Sequence, residues 1–218
     1  MRIRLLVTGF GPFPGAAANP TQAALRLLAR DHARAFARRG VELRTAALPV
    51  VYEGAQARVA ALVADFAPHA ILHLGLAARR PRLTLETRAR NRLSLLHPDA
   101  QGRRAATRLL EPGGPAARPA RAPLAPILAG LRHAGFACAL SNDAGDYLCN
   151  QTFHASLAGE VPAVAFLHLP RPSRADRPKR RRRTARRAVL LAGQARSAAI
   201  TALVLSRYIC GLDSVKSR

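Results

Sequence analysis

The chain has 218 residues, 49% of them hydrophobic, so it is long and apolar enough to bury a core as one domain over residues 1–218. Its three cysteines, Cys138, Cys149 and Cys210, form no CxxC pair, which argues against a disulfide scaffold and against a cysteine zinc site. The net charge of +23 comes from 35 basic and 12 acidic residues, and only two of the basic residues are lysines. An arginine excess of this kind is as typical of a coding bias as of a binding surface.

The predicted elements begin with a buried strand over Ile3–Thr8, followed by a helix that opens at Asn19 and ends at Gly40. The later elements are a strand over Val41–Leu48, a helix over Glu53–Phe66, a strand over Ala70–Gly75, an irregular segment over 92–123, a helix over 124–133, a strand over 136–141, a helix from about 148, a strand over 163–168 and a last helix. Alternating strands and helices predict a mainly parallel sheet with helices on both faces. Functional residues should then lie beyond the carboxyl ends of the strands.

A basic loop is predicted at about residues 171–187, which hold ten basic residues and one acid, Asp176. No aromatic side chain lies in this segment to stack on bases, so nucleic acid is not a predicted partner. We interpret the segment as a solvated loop, with contact to a polyanion as the alternative.

Two apolar segments bear on the location of the protein. The run at residues 1–8 is too short for the apolar part of a signal peptide. The segment Ala188–Ile209 is interrupted by Gln194, Arg196 and Arg207, and its apolar residues have helical spacing. We therefore predict a buried amphipathic helix rather than a membrane span, and a cytoplasmic protein with no membrane partner.

The first strand ends in the loop TGFGPFPG, whose glycines resemble those of a phosphate-binding loop. The spacing of Gly9, Gly11 and Gly15 differs from the dinucleotide pattern, and the helix starts several residues later, so no cofactor is predicted. Phe10 and Phe13 are more informative, because they lie at the predicted functional edge of the sheet. They either cover the core or form the wall of an apolar pocket.

Cys149 is the candidate nucleophile, because it follows a strand and a glycine turn and lies in the predicted first turn of a helix. Unpaired N–H groups and the helix dipole favour a thiolate there, which predicts a lowered thiol pKa and donors for an oxyanion. Cys138 and Cys210 lie in apolar runs and are predicted to be buried structural thiols.

His168 ends the strand AVAFLHLP, from which it could reach the loop of Cys149 and take the thiol proton. The alternative is a histidine that only caps the strand. Glu86, in the loop region after the third strand, either orients this imidazole or offsets the arginines around it. The histidines show no HxH spacing, and the one HxxxH pair, His69 and His73, flanks a predicted core strand and is interpreted as structural, so no metal is predicted.

Five segments, in chain order, resemble motifs of the pyroglutamyl peptidase I family of cytoplasmic cysteine peptidases. They are TGFGPFPGAAANPT, LTLETRARN, GGPAA, SNDAGDYLCNQTFHASL and AFLHLP. The resemblance implies a three-layer α/β/α sandwich with a mixed, mainly parallel sheet. It also implies that a Cys149–His168–Glu86 triad removes N-terminal pyroglutamyl residues from peptides through an acyl-enzyme.

The resemblance further implies that the pyroglutamyl ring is bound by Phe10, Phe13, Tyr147 and Leu148. Its implied partners are peptides with an N-terminal pyroglutamate, and family members often form homodimers or homotetramers.

The chain departs from the family pattern near the predicted site. The departures are Leu76, Ala78 and Arg79 in a loop that is glycine-rich in the family, and Thr87 and Leu96 where the family has arginines. Arg90 or Arg92 is the predicted substitute for a missing arginine. Two alternatives therefore stay open: a catalytically weak or respecialised family member, and an arginine-rich protein that binds polyanions.

Overall fold

The computed structural model describes residues 2–13, 19–171 and 183–216. Most of the predicted basic loop, residues 172–182, lies outside the described residues. The described elements are, in chain order, β1 (Ile3–Phe10), α1 (Pro20–Leu27), α2 (Ala33–Ala37), β2 (Val41–Leu48), α3 (Tyr52–Phe66), β3 (Ala70–Ala77), β4 (Leu83–Glu86), β5 (Arg88–Arg90), β6 (Ala117–Pro119), α4 (Leu124–His133), β7 (Cys138–Ser141), α5 (Leu148–Ala158), β8 (Ala163–Pro170) and α6 (Arg183–Lys216).

The central sheet has six strands in the order β2-β1-β3-β8-β4-β7. Neighbouring strands are parallel except β4 and β8, which are antiparallel. The short strands β5 and β6 pair with each other in a separate antiparallel ribbon. The predicted mixed, mainly parallel sheet is therefore confirmed.

Helices cover both faces of the sheet, because the inner strands alternate their apolar side chains between two cores. In β8, Ala165 and Leu167 face the core that includes α1, α4 and α6. Val164 and Phe166 face the core that includes α3 and α5. Such strands are apolar on both faces, as expected for a sheet that lies between two helical layers. By the same alternation His168 lies on the α5 side, the side that carries Cys149.

The long helix α6 belongs to the first of these cores. Its residues Val189–Leu212 are long and apolar enough, by length and composition alone, to cross a membrane. Ala198, Ala202 and Leu205 are nevertheless fully buried against the sheet and its neighbouring helices. This contact agrees with the predicted buried amphipathic helix.

Several elements differ from the sequence prediction, among them the short strands β5 and β6, which were not predicted. The helix predicted between Asn19 and Gly40 is divided into α1 and α2 by a π-helical turn at Leu28–His32. Strand β4 was not predicted, because it has only four residues and follows an arginine- and proline-containing turn. Pairing with β8 and β7 on its two sides supplies the stability that so short a strand lacks alone.

The corner between β1 and α1 is held by Thr21, which is fully buried. Its Oγ1 accepts a hydrogen bond from the Phe10 N–H at 2.9 Å and lies 3.0 Å from the Phe10 carbonyl oxygen. Asn19 caps α1 by accepting a hydrogen bond from the Thr21 N–H, and its amide donates to the Gly11 carbonyl. These contacts fix where the end of β1 lies relative to the helix.

We predict that Thr21→Val lowers the free energy of unfolding by about 1–3 kcal/mol, because it leaves the buried Phe10 N–H without an acceptor. Urea denaturation followed by circular dichroism measures the change. Arg26→Ala, at an exposed position of the same helix, is the control and should change it by less than about 0.5 kcal/mol. Equal effects of the two variants would contradict the prediction.

Candidate active site

The register of the sheet places His168 between two strands at the carboxyl end of β8. Its Cα partners are Gly75 on β3 and Thr84 on β4. A Cβ atom on Gly75 would lie 2.7 Å from Cδ2 and 2.8 Å from Nε2 of the imidazole. The ring can occupy this position only because residue 75 has no side chain. The ring also packs against Phe166, with the ring centroids 4.7 Å apart.

Glu86 hydrogen-bonds this histidine, with 2.7 Å between its Oε1 and Nδ1 of His168. The carboxylate has 0% of its surface exposed. A carboxylate only accepts, so Nδ1 carries the proton and Nε2 is the nitrogen left for chemistry. Glu86 was predicted to lie in a loop, whereas it is the last residue of β4. The antiparallel pairing of β4 with β8 brings it to the imidazole.

Arg80 contacts the same carboxylate oxygen and also reaches a second element. Its Nη1 donates to Glu86 Oε1 at 2.5 Å, and its Nη2 donates to the Asp143 carbonyl at 2.6 Å. Asp143 lies in the loop between β7 and α5, which leads to Cys149. Arg80 therefore connects the acidic residue to the loop that carries the cysteine.

Cys149 is the second residue of α5, as the sequence predicts. It is half-buried and lines a cavity of about 690 Å³ together with His168 and Arg80. The loop before it is fixed by a turn in which the Gly145 N–H donates to the Asp143 carboxylate. Gly145 has a φ of 89°, a conformation that favours glycine.

The pKa of the Cys149 thiol differs from the sequence prediction. Burial, followed by the negative charge of Glu86, raises this pKa to about 12. Arg80 and the backbone N–H groups of Cys149 and Leu76 lower it, but their effect is smaller. The predicted decrease at a helix N-terminus is therefore outweighed by desolvation, and the resting thiol is neutral.

Asn150 holds the start of α5 against β5. Its side-chain amide accepts a hydrogen bond from the Arg90 N–H and donates to the carbonyls of Arg90 and Arg92, all within 2.9 Å. Asn150 is fully buried, so these bonds satisfy an amide that water cannot reach. The residue next to the cysteine thus fixes the position of the helix.

The four residues predicted to bind the ring are divided between the cavity and the core. Phe13 and Tyr147 line the cavity, and Tyr147 donates a hydrogen bond to the Pro98 carbonyl in the opposite loop. Phe10 and Leu148 are 4% and 1% exposed and pack in the core shared with α3 and α5. This placement corrects the prediction that all four line the pocket, because these two side chains point into the core.

The residues that depart from the family pattern do not all lie at the cavity. Leu76, Ala78 and Arg79 line the cavity, whereas Leu96 is 75% exposed. The predicted substitutes, Arg90 and Arg92, are not among the lining residues of the cavity, and the Arg90 guanidinium lies 3.6 Å from the Asp143 carboxylate.

The other two cysteines differ in burial. Cys138 is buried as predicted, and burial raises the pKa of its thiol. Cys210 is exposed, which corrects its predicted burial, because it lies on a face of α6 that is turned away from the core. Among the described residues, no group of three His, Cys, Asp or Glu side chains could hold a metal ion.

Sequence reasoning missed three residues of this site: Gly75, Arg80 and Asn150. Arg80 is one of six arginines close to Glu86 in the sequence, and nothing in the spacing distinguishes it from the others. The need for Gly75 follows only from the register between β3 and β8.

Comparisons with known proteins identify the family. The family model described as pyroglutamyl peptidase matches residues 3–173. The chain belongs to the pyroglutamyl peptidase family. It is 32% identical over 173 residues to a pyrrolidone-carboxylate peptidase of Thermococcus onnurineus, with 77% of this chain and 84% of the relative covered. It is 36% identical over 179 residues to that of Deinococcus radiodurans, with 76% and 77% covered.

The fold of this chain also matches a solved structure of the same family. The crystal structure of pyrrolidone carboxyl peptidase from Thermus thermophilus superposes with a TM-score of 0.76 at 41% identity. The superposition covers 92% of this chain and 99% of that one. As a member of the pyroglutamyl peptidase family, the protein is a cysteine-type peptidase.

We predict that Gly75→Ala lowers the free energy of unfolding by about 1–3 kcal/mol, because the new methyl group would overlap the rings of His168 and Phe166. Chemical denaturation measures the loss. Gly130→Ala on α4, where the nearest atom would be 3.4 Å away, is the control. The control should be neutral or more stable by up to about 1 kcal/mol, since alanine favours a helix. A native-like Gly75→Ala variant would contradict the register described for His168.

We also predict that Cys149 reacts slowly with iodoacetamide at neutral pH and about tenfold faster per pH unit up to pH ~9, because its raised pKa keeps it protonated. The measurement uses a Cys138→Ala/Cys210→Ala background, in which Cys149 is the only thiol. A rate that levels off below pH ~8 would instead indicate the stabilised thiolate expected of a helix N-terminus.

Proposed function

We propose that this protein removes N-terminal pyroglutamyl residues from peptides, with Cys149 as nucleophile, His168 as general base and acid, and Glu86 as the residue that orients the imidazole. The observation that carries the proposal is the hydrogen bond between Glu86 and His168, beside a cavity that Cys149 also lines. The family membership supports the choice of substrate, since the matching family model is that of pyroglutamyl peptidase.

The proposed reaction starts with transfer of the Cys149 thiol proton to Nε2 of His168. The sulfur attacks the carbonyl carbon of the pyroglutamyl residue, and the carbonyl electrons move to its oxygen. As the tetrahedral intermediate collapses, the C–N bond breaks and the leaving amine takes the proton from His168. Water then attacks the thioester, His168 takes the water proton and returns it to the departing thiolate, and pyroglutamate is released.

The raised thiol pKa makes the base essential in this scheme. A thiol with a pKa of about 12 is almost entirely protonated at neutral pH, so attack requires a base beside it. The Nδ1 bond to Glu86 holds the ring with Nε2 unengaged by the carboxylate, and it stabilises the imidazolium that forms. The backbone N–H groups of Cys149 and Leu76, which already interact with the sulfur, are our proposed donors to the oxyanion.

The cavity wall fits a small neutral lactam. Phe13 and Tyr147 supply aromatic surface for the ring, and a pyroglutamyl terminus has no charged amine that would need a carboxylate partner. The residues beyond pyroglutamate then extend towards the cavity mouth.

Two alternatives have specific observations in their favour. Leu76 and Arg79 in the cavity wall favour a weak or respecialised peptidase, because they replace family residues at the site itself. The positive net charge favours a polyanion-binding protein, for which association would weaken steeply with salt. A cytoplasmic location and a homodimer or homotetramer remain predictions that belong to the main proposal.

We predict that the native chain releases a fluorescent amine from a pyroglutamyl-arylamide and that Cys149→Ser lowers kcat by roughly 10⁴-fold or more, because the nucleophile is lost. Cys138→Ala is the matched control and should retain most of the activity, since Cys138 lies in the other core. A folded native chain without measurable activity would favour the weak or respecialised alternative. Comparable loss in the control, or activity that survives in Cys149→Ser, would remove the nucleophile assignment.

A further inference from the structure

Arg80 is the cation that balances the buried carboxylate of the site. Glu86 is fully buried, and its Oε2 has no hydrogen-bond partner among the described atoms. A buried carboxylate without a counter-charge is strongly disfavoured. The charge-assisted bond of 2.5 Å from Arg80 supplies that counter-charge.

The second hydrogen bond of Arg80 has a different consequence. It fixes the carbonyl of Asp143, six residues before Cys149, at 2.6 Å from the guanidinium. The planar guanidinium can bind two acceptors in fixed directions at once, which an ammonium group does less well. One side chain thereby sets the position of Glu86 relative to the loop that precedes the cysteine.

Few other charged groups face this pair. His168 contacts Glu86 from β8, and Cys149 faces it from α5. The Asp143 carboxylate lies 3.6 Å from the Arg90 guanidinium. Arg80 alone is described as both ion-paired to Glu86 and bonded to the cysteine loop.

We propose that Arg80 is a positioning residue for catalysis, which supplies the counter-charge to the buried Glu86 and holds the Glu86–His168 pair in register with the cysteine loop. This inference rests on the function proposed above. It assigns no contact with substrate to Arg80, so the residue should affect kcat rather than KM.

The test compares Arg80→Met with the native chain on a pyroglutamyl-arylamide. We expect kcat to fall by roughly a hundredfold with KM changed less than about threefold, because misplaced catalytic groups cost rate rather than binding.

Two further variants separate charge from geometry. Arg80→Lys keeps the charge but not the planar guanidinium with its two donor directions, so we expect it to restore only part of kcat. Arg82→Met is the matched control, because Arg82 is exposed and its side chain makes no hydrogen bond within the described residues. If a thermal melt shows that Arg80→Met does not fold, Arg80→Lys becomes the test of the proposal. A fully active Arg80→Lys would overturn its geometric part.

A second readout does not need turnover. Arg80 lowers the pKa of the Cys149 thiol, so Arg80→Met should alkylate more slowly than the native chain at the same pH, in the background with Cys149 as the only thiol. A native chain without turnover would count against the proposed function, and the alkylation rates would still test Arg80. A folded Arg80→Met with native kcat and a native alkylation rate would overturn the inference.

Discussion

A carboxylate with no exposed surface, Glu86, is the constraint on which the site depends. Removing such a charge from water costs several kcal/mol, and only close partners offset this cost. Here the partners are His168 at 2.7 Å and Arg80 at 2.5 Å, both on the same oxygen. Glu86 and its two partners belong to three different segments of the chain, so the burial of one charge requires these three segments to be in register.

The sheet topology meets this requirement. Strand β4 is inserted antiparallel beside β8 in an otherwise parallel sheet, with Thr84 opposite His168 and Leu85 opposite Leu167. Glu86, two residues after Thr84, therefore lies on the same face of the sheet as the imidazole and diagonally across from it. On the opposite side of β8, the missing side chain of Gly75 leaves room for the imidazole. The mixed sheet is thus part of how the site is built.

The sequence predicted more of the fold than of the site. Strand boundaries such as Val41–Leu48 followed from apolar runs and glycine stops, and Cys149 and His168 followed from their places after predicted strand ends. Strand β4 was too short to give a periodic signal. Arg80 was hidden among neighbouring arginines, because the choice between them depends on distances that only the folded chain defines.

The choice between core and pocket wall for Phe10, and the direction of the thiol pKa shift, could not be settled from the sequence for a related reason. The direction of a side chain at a strand end depends on where its neighbours pack, and Phe10 turns into the core beside α3 and α5. A helix N-terminus favours a thiolate in an exposed setting, but at Cys149 desolvation dominates. The sequence predicts that the helix N-terminus lowers the thiol pKa, but it does not predict the burial that raises it.

Glu86 has opposite effects on the two residues that flank the proposed reaction. Its charge would stabilise the imidazolium of His168, yet it also raises the pKa of the Cys149 thiol. Arg80 reduces the second effect through its own charge, and its hydrogen bond to Glu86 offsets the buried negative charge. In the proposed mechanism the separated charges therefore arise together, when the thiol proton moves to His168 as the sulfur attacks. A neutral resting thiol is compatible with catalysis because the carboxylate lies beside the histidine that receives the proton.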